Sequence, residues 1–271
     1  MSERLGKESG MADATTIDEA LERLNRLEDE LSPNDGVRWF NRLYLRVTEH
    51  VAEYVSTVPQ AAAGFLERLD IVFANAYFAA LDAAGSTGTD LPAGYEFHAW
   101  KPLFLRRYAR DIAPIQFAVA GMNAHINHDL ALGVQQVCTE RGVRPDRDGP
   151  EYVDYTAVNS LIKQTEEEVK VWLLTDCLKD LDRRFGAVDD LLVIWSLEQA
   201  RNAAWIHSEV LWRLSDEGFI EQSYREVLDR TAGAYSRALL KSVGAFEGGP
   251  VVPIRADREA DAPARTRRAP G

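Results

Sequence analysis

The sequence predicts an all-α protein, a single-domain bundle of roughly seven to nine helices. Along most of the chain, apolar residues recur every three to four positions, which is the period of an amphipathic helix. Alternating runs of Val, Ile and Thr between turn dipeptides, the pattern of strands, are missing from the sequence. With 271 residues, of which 46% are hydrophobic, the chain can fill one large core.

Three helices are predicted in the first third of the chain, each ended by a turn signal. Thr16 and Glu19 have the spacing of a capping box, in which a hydroxyl and a carboxylate satisfy free backbone amides at a helix start. Segments that contain Pro or Gly then separate the helices, because neither residue continues a helix readily. The predicted helices cover residues 17–31, 35–58 and 60–84, and a loop follows at 85–92.

The same periodicity predicts the remaining helices. The longest is apolar and begins near Pro114, which suits a first turn because its missing amide proton costs nothing there. The two ends of the chain lack periodicity and are rich in Gly, Pro, Ala or charged residues, so a flexible leader at 1–14 and a disordered tail at 244–271 are expected around a helical domain at 15–243. The predicted helices cover residues 100–109, 112–141, 152–184, 187–215 and 217–243.

Composition and charge exclude several classes of partner. A formal net charge of -12 argues against nucleic acid or an anionic membrane, because both attract a basic face. No segment reaches the roughly 18 uninterrupted apolar residues of a membrane span, and no basic stretch followed by an apolar run opens the sequence. Cys138 and Cys177 lack metal-type spacing and are expected to be reduced thiols. A cytoplasmic location is therefore predicted, and the oligomeric state stays open.

The most informative segment is the polar run at residues 123–129, which interrupts an otherwise apolar helix. Helical residues advance by about 100°, so His125 and Asp129 lie within about 40° of each other, with His128 beside them. The two asparagines of the run face the opposite side. A buried polar group without a partner costs a few kcal/mol. The run therefore predicts an interior site.

Two uses of this site follow from its side chains, and a structural role is the alternative. In the first, His125, His128 and Asp129 bind a divalent metal such as Zn²⁺ or iron. In the second, His125 is a general base or acid that Asp129 orients, while Asn123 and Asn127 bind the substrate. In the structural alternative, the run is a hydrogen-bond network that fixes helix packing.

Residues outside the run are further candidates for the same site. Glu198 is either a carboxylate ligand to the metal or the neighbour that neutralises Arg201. His98, at the end of a long loop, is either a third ligand, a lid residue or simply exposed. Aromatic residues at helical spacing either line an apolar ligand site or belong to the core, and the candidates are Tyr77, Trp100 and Trp205.

Asn159 is a candidate for substrate binding. With Lys163 and Glu167 it has the i, i+4, i+8 spacing that resembles the metal-binding triad of class I terpene synthases. Here Lys163 replaces the middle Ser or Thr of that triad, and the acidic partner motif of those enzymes is missing. Lys163 and Glu167 therefore fit an ordinary ion pair on a solvated face, and Asn159 alone is retained.

Three segments resemble the actinobacterial DUF5995 family, an uncharacterised family defined by sequence. They are Gly121–Leu130, Trp39–Tyr44 and Arg201–Trp205, and the resemblance covers most of residues 35–243. It implies that the polar run is a hallmark of the family. It transfers no catalytic role.

The spacing of His125 and Asp129 is also similar to the His-x-x-x-Asp of all-helical zinc phospholipase C and related nucleases. Those enzymes need several further histidines and an N-terminal Trp. This sequence has only His50, His98 and His207 outside the polar run, and it does not begin with Trp. A trinuclear zinc site is therefore not expected, while a site with one or two metal ions and Asp or Glu ligands stays open.

The sequence thus predicts an all-helical small-molecule-binding protein, whose interior site can serve a metal-assisted hydrolase or lyase. A divalent metal would act there by lowering the pKa of a bound water. Two other functions stay open: a non-catalytic binding protein for a lipid or isoprenoid-like ligand, and a structural protein with a buried polar network. Substrate and reaction are not predicted.

Overall fold

The computed structural model describes residues 12–85, 89–163 and 197–242, and within these ranges every regular element is helical. The all-α prediction is confirmed. Helical structure also begins again at 159–163. The α-helices are α1 (Ile17–Glu30), α2 (Gly36–Val55), α3 (Gln60–Ala84), α4 (Lys101–Arg106), α5 (Pro114–Ala124), α6 (Leu130–Glu140), α7 (Pro150–Ala157), α8 (Leu197–Arg213) and α9 (Gly218–Leu239), and a π-helical segment (His125–Asp129) joins α5 to α6.

Some predictions fall outside the described residues. These are most of the leader, the tail, Cys177, Glu167, the greater part of the helix predicted at 152–184 and the first third of the helix predicted at 187–215. Cys138 is described, and it is a buried free thiol. In the three ranges that are described, no helix has both the length and the apolar character needed to cross a membrane.

The first helices begin and end close to their predicted limits. The Glu19 amide donates to Thr16 Oγ1 at 3.1 Å, as a capping box requires. The Glu19 carboxylate, however, accepts from the Thr15 amide at 2.6 Å rather than from that of Thr16. Ala14, the last residue of the predicted leader, is buried and exchanges two hydrogen bonds of 2.9 Å with Asn75. The ordered part of the chain therefore starts before α1.

The helix predicted to begin at 152 differs from the structure. It begins at Pro150 and ends at Ala157, with a turn at Val158 before helical structure resumes. Pro150 lies before the predicted start of this helix, but its fixed φ suits the first turn of a helix. A contact from α8 explains the interruption, because the Tyr155 carbonyl accepts a hydrogen bond from Arg201 Nη2 at 2.7 Å. That bond competes with the amide four residues further on.

Two glycines allow α2 and α5 to pack closely. A Cβ on Gly121 would lie 2.4 Å from Cγ of Phe40, and a Cβ on Gly36 would lie 2.4 Å from Cδ1 of Phe117. Each aromatic ring thus rests against the backbone of the opposite helix. This approach brings the Phe40 ring to 5.6 Å from the ring of His125, measured between centroids.

A buried ion pair fixes α4 relative to α2. Arg107 and Asp35 are 0% and 1% exposed, and Arg107 donates to both carboxylate oxygens from Nε at 3.0 and 2.9 Å. Asp35 also caps α2 by accepting from the Val37 amide at 3.0 Å. Loss of either partner would leave a buried charge alone, which typically costs about 3–5 kcal/mol. The pair therefore fixes the C-terminal end of α4 against the start of α2.

Helix α9 binds the loop before α4. The Asp229 carboxylate accepts from the backbone amides of His98 at 3.0 Å and Ala99 at 2.6 Å. Gly233, one turn later, faces the same loop, and a Cβ there would lie 2.3 Å from the His98 carbonyl oxygen. The next residue of the loop is Trp100, so α9 determines where the indole of Trp100 enters the core.

Replacing Gly233 with Ala should destabilise the protein by more than about 2 kcal/mol, because the new methyl group overlaps backbone rather than a movable side chain. Gly64→Ala on α3 is the matched control, since a Cβ there meets nothing within 4 Å. The control should stabilise the protein by about 0.5–1 kcal/mol through helix propensity. Urea unfolding measures both values, and equal stability of the two variants would contradict the close contact.

Candidate functional site

The long helix predicted at 112–141 is continuous, but its middle turn is a π-helix. At that turn the Leu130 amide donates to the His125 carbonyl, five residues back. Such π-turns are rare and frequently lie at functional sites. The α-helical spacing assumed for the polar run is therefore wrong over residues 125–129, although the faces inferred from it are retained. The wider turn lets two histidines contact one carboxylate.

The Asp129 carboxylate is the centre of the candidate site. Its Oδ2 atom lies 2.9 Å from Nδ1 of His125 and accepts from the indole Nε1 of Trp100 at 3.0 Å. Its Oδ1 atom lies 2.7 Å from Nδ1 of His128. Asp129 is buried, and a buried carboxylate is stable only when donors of this kind surround it. Trp100 and His125 are buried like Asp129, whereas the His128 side chain is 12% exposed.

Burial and the contacts within the site shift the pKa values of the three titratable groups in different directions. Burial lowers the pKa of His125 below its ordinary value, and the hydrogen bond to Asp129 only partly opposes this. For His128, burial acts in the same direction, but the hydrogen bond and the charge of Asp129 outweigh it and raise the pKa. Burial would raise the pKa of Asp129, yet the bonds from both histidines lower it. The arrangement is a carboxylate between His125, whose neutral form is favoured, and His128, whose protonated form is favoured.

The imidazole of His125 is enclosed by aromatic rings. It stacks on Phe73 with 3.4 Å between centroids, and Tyr44 meets it edge-on at 4.6 Å. Because Nδ1 faces the Asp129 carboxylate, it carries the proton, and Nε2 carries the lone pair. That Nε2 atom is buried and has no hydrogen-bond partner among the described residues. It is the one reactive atom of the pair that packing leaves unused.

The asparagines of the polar run face α9, on the side opposite His125. Asn123 Nδ2 donates to the Ala232 carbonyl at 2.8 Å and to Ser236 Oγ at 2.9 Å. Asn127 Nδ2 donates to Asn123 Oδ1 at 2.8 Å. The opposite-face prediction is therefore right. These bonds dock α9, so the geometry supports packing for Asn123 and Asn127 more than substrate binding.

The aromatic candidates separate into two places. Tyr77 and Trp100 lie beside His125, with ring centroids 6.3 and 5.7 Å from its ring. Trp205 is buried elsewhere, against Tyr152 and Tyr155 at 5.0 Å each. The predicted apolar lining is thus assembled from Tyr77 and Trp100 without Trp205.

Asn159 belongs to the place where Trp205 lies. Its Oδ1 atom accepts from Arg201 Nε at 2.8 Å, and the Arg201 guanidinium stacks on Tyr155 at 4.2 Å from the ring centroid. The structure thus explains the side-chain carbonyl of Asn159 through Arg201, and not through contact with the polar run.

The described residues do not assemble the predicted metal site. Glu198 is exposed on α8, whereas His125 and Asp129 are buried. Across the described ranges, no group of three or more His, Cys, Asp or Glu side chains is arranged to hold a metal ion. The physical reason is that both histidines direct Nδ1 to the Asp129 carboxylate, which uses both of its oxygens as acceptors. His98 is half-buried, and its backbone amide donates to Asp229.

Sequence reasoning missed three polar residues beside His125. Tyr44 OH, Thr48 Oγ1 and Asp70 Oδ2 are buried and have no hydrogen-bond partner among the described residues. Burial raises the pKa of Asp70 from 3.8 to about 7. A signal for Asp70 existed, because it is the charged residue on the inward stripe of α3 that also carries Leu69 and Phe73. Tyr44 and Thr48 look like ordinary members of an amphipathic helix and carry no such signal.

Fold and site together define an all-α protein with a buried histidine–carboxylate centre. The chain belongs to the family described as Family of unknown function (DUF5995), which matches residues 17–242. The predicted family is thereby confirmed. Comparison with curated proteins found no match, and comparison with solved structures found none either.

The two histidines should titrate on opposite sides of their ordinary pKa of 6.5, with His128 above it and His125 below it. The proton on His128 therefore stabilises the fold fully below pH 6.5, and this contribution is lost as the pH rises through the raised pKa. Nitrogen-15 NMR of the imidazoles across pH measures both transitions. Asp129→Asn should lower the pKa of His128, because it removes the charge that raises it. Coincident titration of the two rings in the unsubstituted protein would contradict the assignment.

Asp70 should make the protein less stable as the pH rises from about 4 to about 7, because ionising this carboxyl is harder in the folded state than in the unfolded state. Asp70→Asn should therefore raise the free energy of unfolding by roughly 2–4 kcal/mol at higher pH, and by little below pH 4. Urea unfolding at several pH values measures the difference. A variant that is less stable than the unsubstituted protein at every pH would show that Asp70 has a stabilising partner.

Proposed function

We propose that this protein binds a small molecule in its interior beside His125, and that His125 with Asp129 acts on that molecule as a general base, in hydrolase or lyase chemistry. One observation carries the proposal: the Nε2 atom of His125 is buried and has no hydrogen-bond partner among the described residues. A buried polar atom without a partner is costly and rare in folded proteins. A bound ligand that donates a hydrogen bond to Nε2 would remove that cost.

The groups around His125 suit a base. Asp129 holds the tautomer with the proton on Nδ1 and would stabilise the imidazolium that forms when Nε2 takes a proton. Burial keeps the pKa of His125 low, so the imidazole is neutral and able to accept a proton at neutral pH. His128, whose side chain is 12% exposed, bonds to the same carboxylate, which favours its protonated form. It is suited to return a proton as the acid.

This chemistry replaces the metal-assisted version of the sequence prediction. A metal would need His125, His128 and Asp129 to direct lone pairs at one point, whereas both histidines direct Nδ1 to the Asp129 carboxylate and Glu198 is exposed. A purely structural network accounts for Asn123 and Asn127, both of which are hydrogen-bonded. It does not account for the unused Nε2 atom. For the other half of the polar run, the geometry therefore favours ligand chemistry.

The setting of the proposal comes from composition. The net charge of -12 supports a small molecule rather than nucleic acid as the partner. The reduced, buried Cys138 and the absence of a membrane-spanning helix in the described ranges support the cytoplasm as the place of action.

His125→Asn tests the proposal with little change of structure. The Asn amide can still donate to Asp129 from the position of Nδ1, but the variant has no atom at the position of Nε2. The matched control is His207→Asn, because His207 is on α8 and its ring bonds to Tyr224 OH instead, at 2.7 Å. Native mass spectrometry detects any small molecule that copurifies, and a panel of 4-nitrophenyl esters and amides reports hydrolysis.

The proposal expects His125→Asn to lose the copurified mass or to lower hydrolysis at least about 100-fold, as removal of a general base does. His207→Asn should keep both properties. If His125→Asn folds and matches the unsubstituted protein in both assays, the base role is refuted. If its only effect is a loss of stability of about 1–3 kcal/mol, the structural alternative is correct.

A further inference from the structure

We propose that Asp70, Tyr44 and Thr48 form a recognition site for a primary ammonium group, so that the ligand of this protein is an amine-bearing small molecule. The inference deepens the proposed function and rests on it for the role of His125. The ammonium site itself rests on separate atoms. Its three residues are contributed by α2 and α3, whereas His125 and Asp129 come from the π segment.

The three side chains are polar, buried and unsatisfied. Thr48 is 0% exposed, Tyr44 is 4% exposed and Asp70 is 8% exposed. One oxygen of each, Thr48 Oγ1, Tyr44 OH and Asp70 Oδ2, lacks a hydrogen bond of good geometry among the described residues, although the Thr48 hydroxyl interacts with the Tyr44 phenol. No ion pair joins Asp70 to a Lys, Arg or His of those ranges. Packing alone does not favour a buried carboxylate of this kind, which indicates that a ligand supplies the missing donors.

Contacts place these three side chains near one another and near the His125 ring. The ring of Tyr44 touches both His125 and Phe73, at 4.6 and 5.7 Å between centroids. Thr48 follows Tyr44 by one turn of α2, and its hydroxyl is close enough to act on the phenol. Asp70 precedes Phe73 by one turn of α3, and its charge raises the pKa of Tyr44. The four polar groups therefore lie around one stretch of the interior between α2, α3 and the π segment.

A primary ammonium group matches this set in number and in charge. It carries three N–H donors and no acceptor. The site offers three oxygen acceptors, and Asp70 supplies the negative charge that a cation needs in a buried place. The Tyr44 and Phe73 rings add a favourable environment for a cation. His125 Nε2 stays available for another part of the same ligand.

Other ligand classes fit less well. A phosphate or carboxylate would meet Asp70 and the lone pair of Nε2 without a described cation to neutralise it. A divalent metal would need more carboxylate or imidazole groups than the described residues bring together. A quaternary ammonium has the charge but no N–H donor, so it would leave all three oxygens unsatisfied.

The test measures binding of methylammonium, ethylammonium and butylammonium to the whole protein by nitrogen-15 NMR. Ethanol, butanol and tetramethylammonium are the matched probes that lack either the charge or the N–H donors. Millimolar dissociation constants are expected for ligands of this size, so probes are titrated to about 100 mM. The variants are Asp70→Asn, Thr48→Val and Tyr44→Phe, each close in shape to the original side chain. Asp216→Asn, at an exposed position of the loop before α9, controls for loss of one charge.

The proposal expects saturable shifts with the primary amines, centred on α2 and α3, and at least tenfold weaker binding of the alcohols and of tetramethylammonium. Asp70→Asn should weaken amine binding at least tenfold, and Thr48→Val and Tyr44→Phe by severalfold each, while Asp216→Asn has no effect. Absence of saturable binding, equal binding of tetramethylammonium, or unchanged binding in Asp70→Asn would each overturn it.

His125→Asn separates this inference from the proposed function. Amine binding that survives in His125→Asn but is lost in Asp70→Asn establishes the ammonium site whatever the fate of the base role. Loss of hydrolysis in His125→Asn, together with no amine binding in the unsubstituted protein, refutes the ammonium site and leaves the base role in place.

Discussion

Three donors, two from the π segment and one from the loop before α4, converge on the Asp129 carboxylate, and the interior depends on that convergence. Trp100 comes from the loop before α4, and the two histidines come from the π segment. A buried carboxylate with fewer donors would be expensive, so each donor is held in place by other contacts. For Trp100 those contacts are the bonds from the His98 and Ala99 amides to Asp229, while the Asp35–Arg107 pair fixes the opposite end of α4. Both contacts thus help to position the indole that donates to Asp129.

The same interior also contains buried polar atoms that form no hydrogen bond with any described residue, at a cost in stability. His125 Nε2 and Asp70 Oδ2 are buried without partners, while the neighbouring Asn123 is fully engaged with α9. The polar side chains of the run are therefore hydrogen-bonded on the face toward α9, whereas His125 Nε2 has no partner among the described residues on the opposite face. Proteins commonly give up stability where a site must accept a ligand. This asymmetry, more than the presence of a histidine beside an aspartate, marks the face between α2, α3 and the π segment as functional.

The helices and the location of the polar run could be predicted from the sequence, because both depend on local periodicity and on turn residues. The α3 limits and Pro114 at the first turn of α5 are examples. The π-turn could not be predicted in this way, because apolar periodicity over five residues does not distinguish a π-turn from an α-turn, and the bond from Trp100 to Asp129 is tertiary. Thr48 and Tyr44 were missed because a helical pattern shows that a residue faces inward, but not whether its hydroxyl finds a partner there.

Which of the site candidates lie together also depends on tertiary contacts. Asn159 and Glu198 were placed beside the polar run on spacing alone. Arg201 accounts for the first through a bond of 2.8 Å, and the second faces solvent. One-dimensional spacing identifies neighbours within a helix, whereas neighbours between helices depend on rotations of each helix about its axis. Trp100 was the candidate outside the polar run that contacts Asp129, and it does so through a loop rather than a helix.

The π segment has a consequence for how the family can vary in length. A turn closed between residues five apart holds one residue more than an α-turn, so its loss would restore an ordinary helix. His125 and Asp129 would then stand three residues apart, and the two histidines could no longer both direct Nδ1 to the carboxylate. Insertions and deletions should therefore be tolerated in the loop at 85–92 but not between His125 and Asp129. In an alignment of the family, this pentapeptide should be the place where gaps never fall.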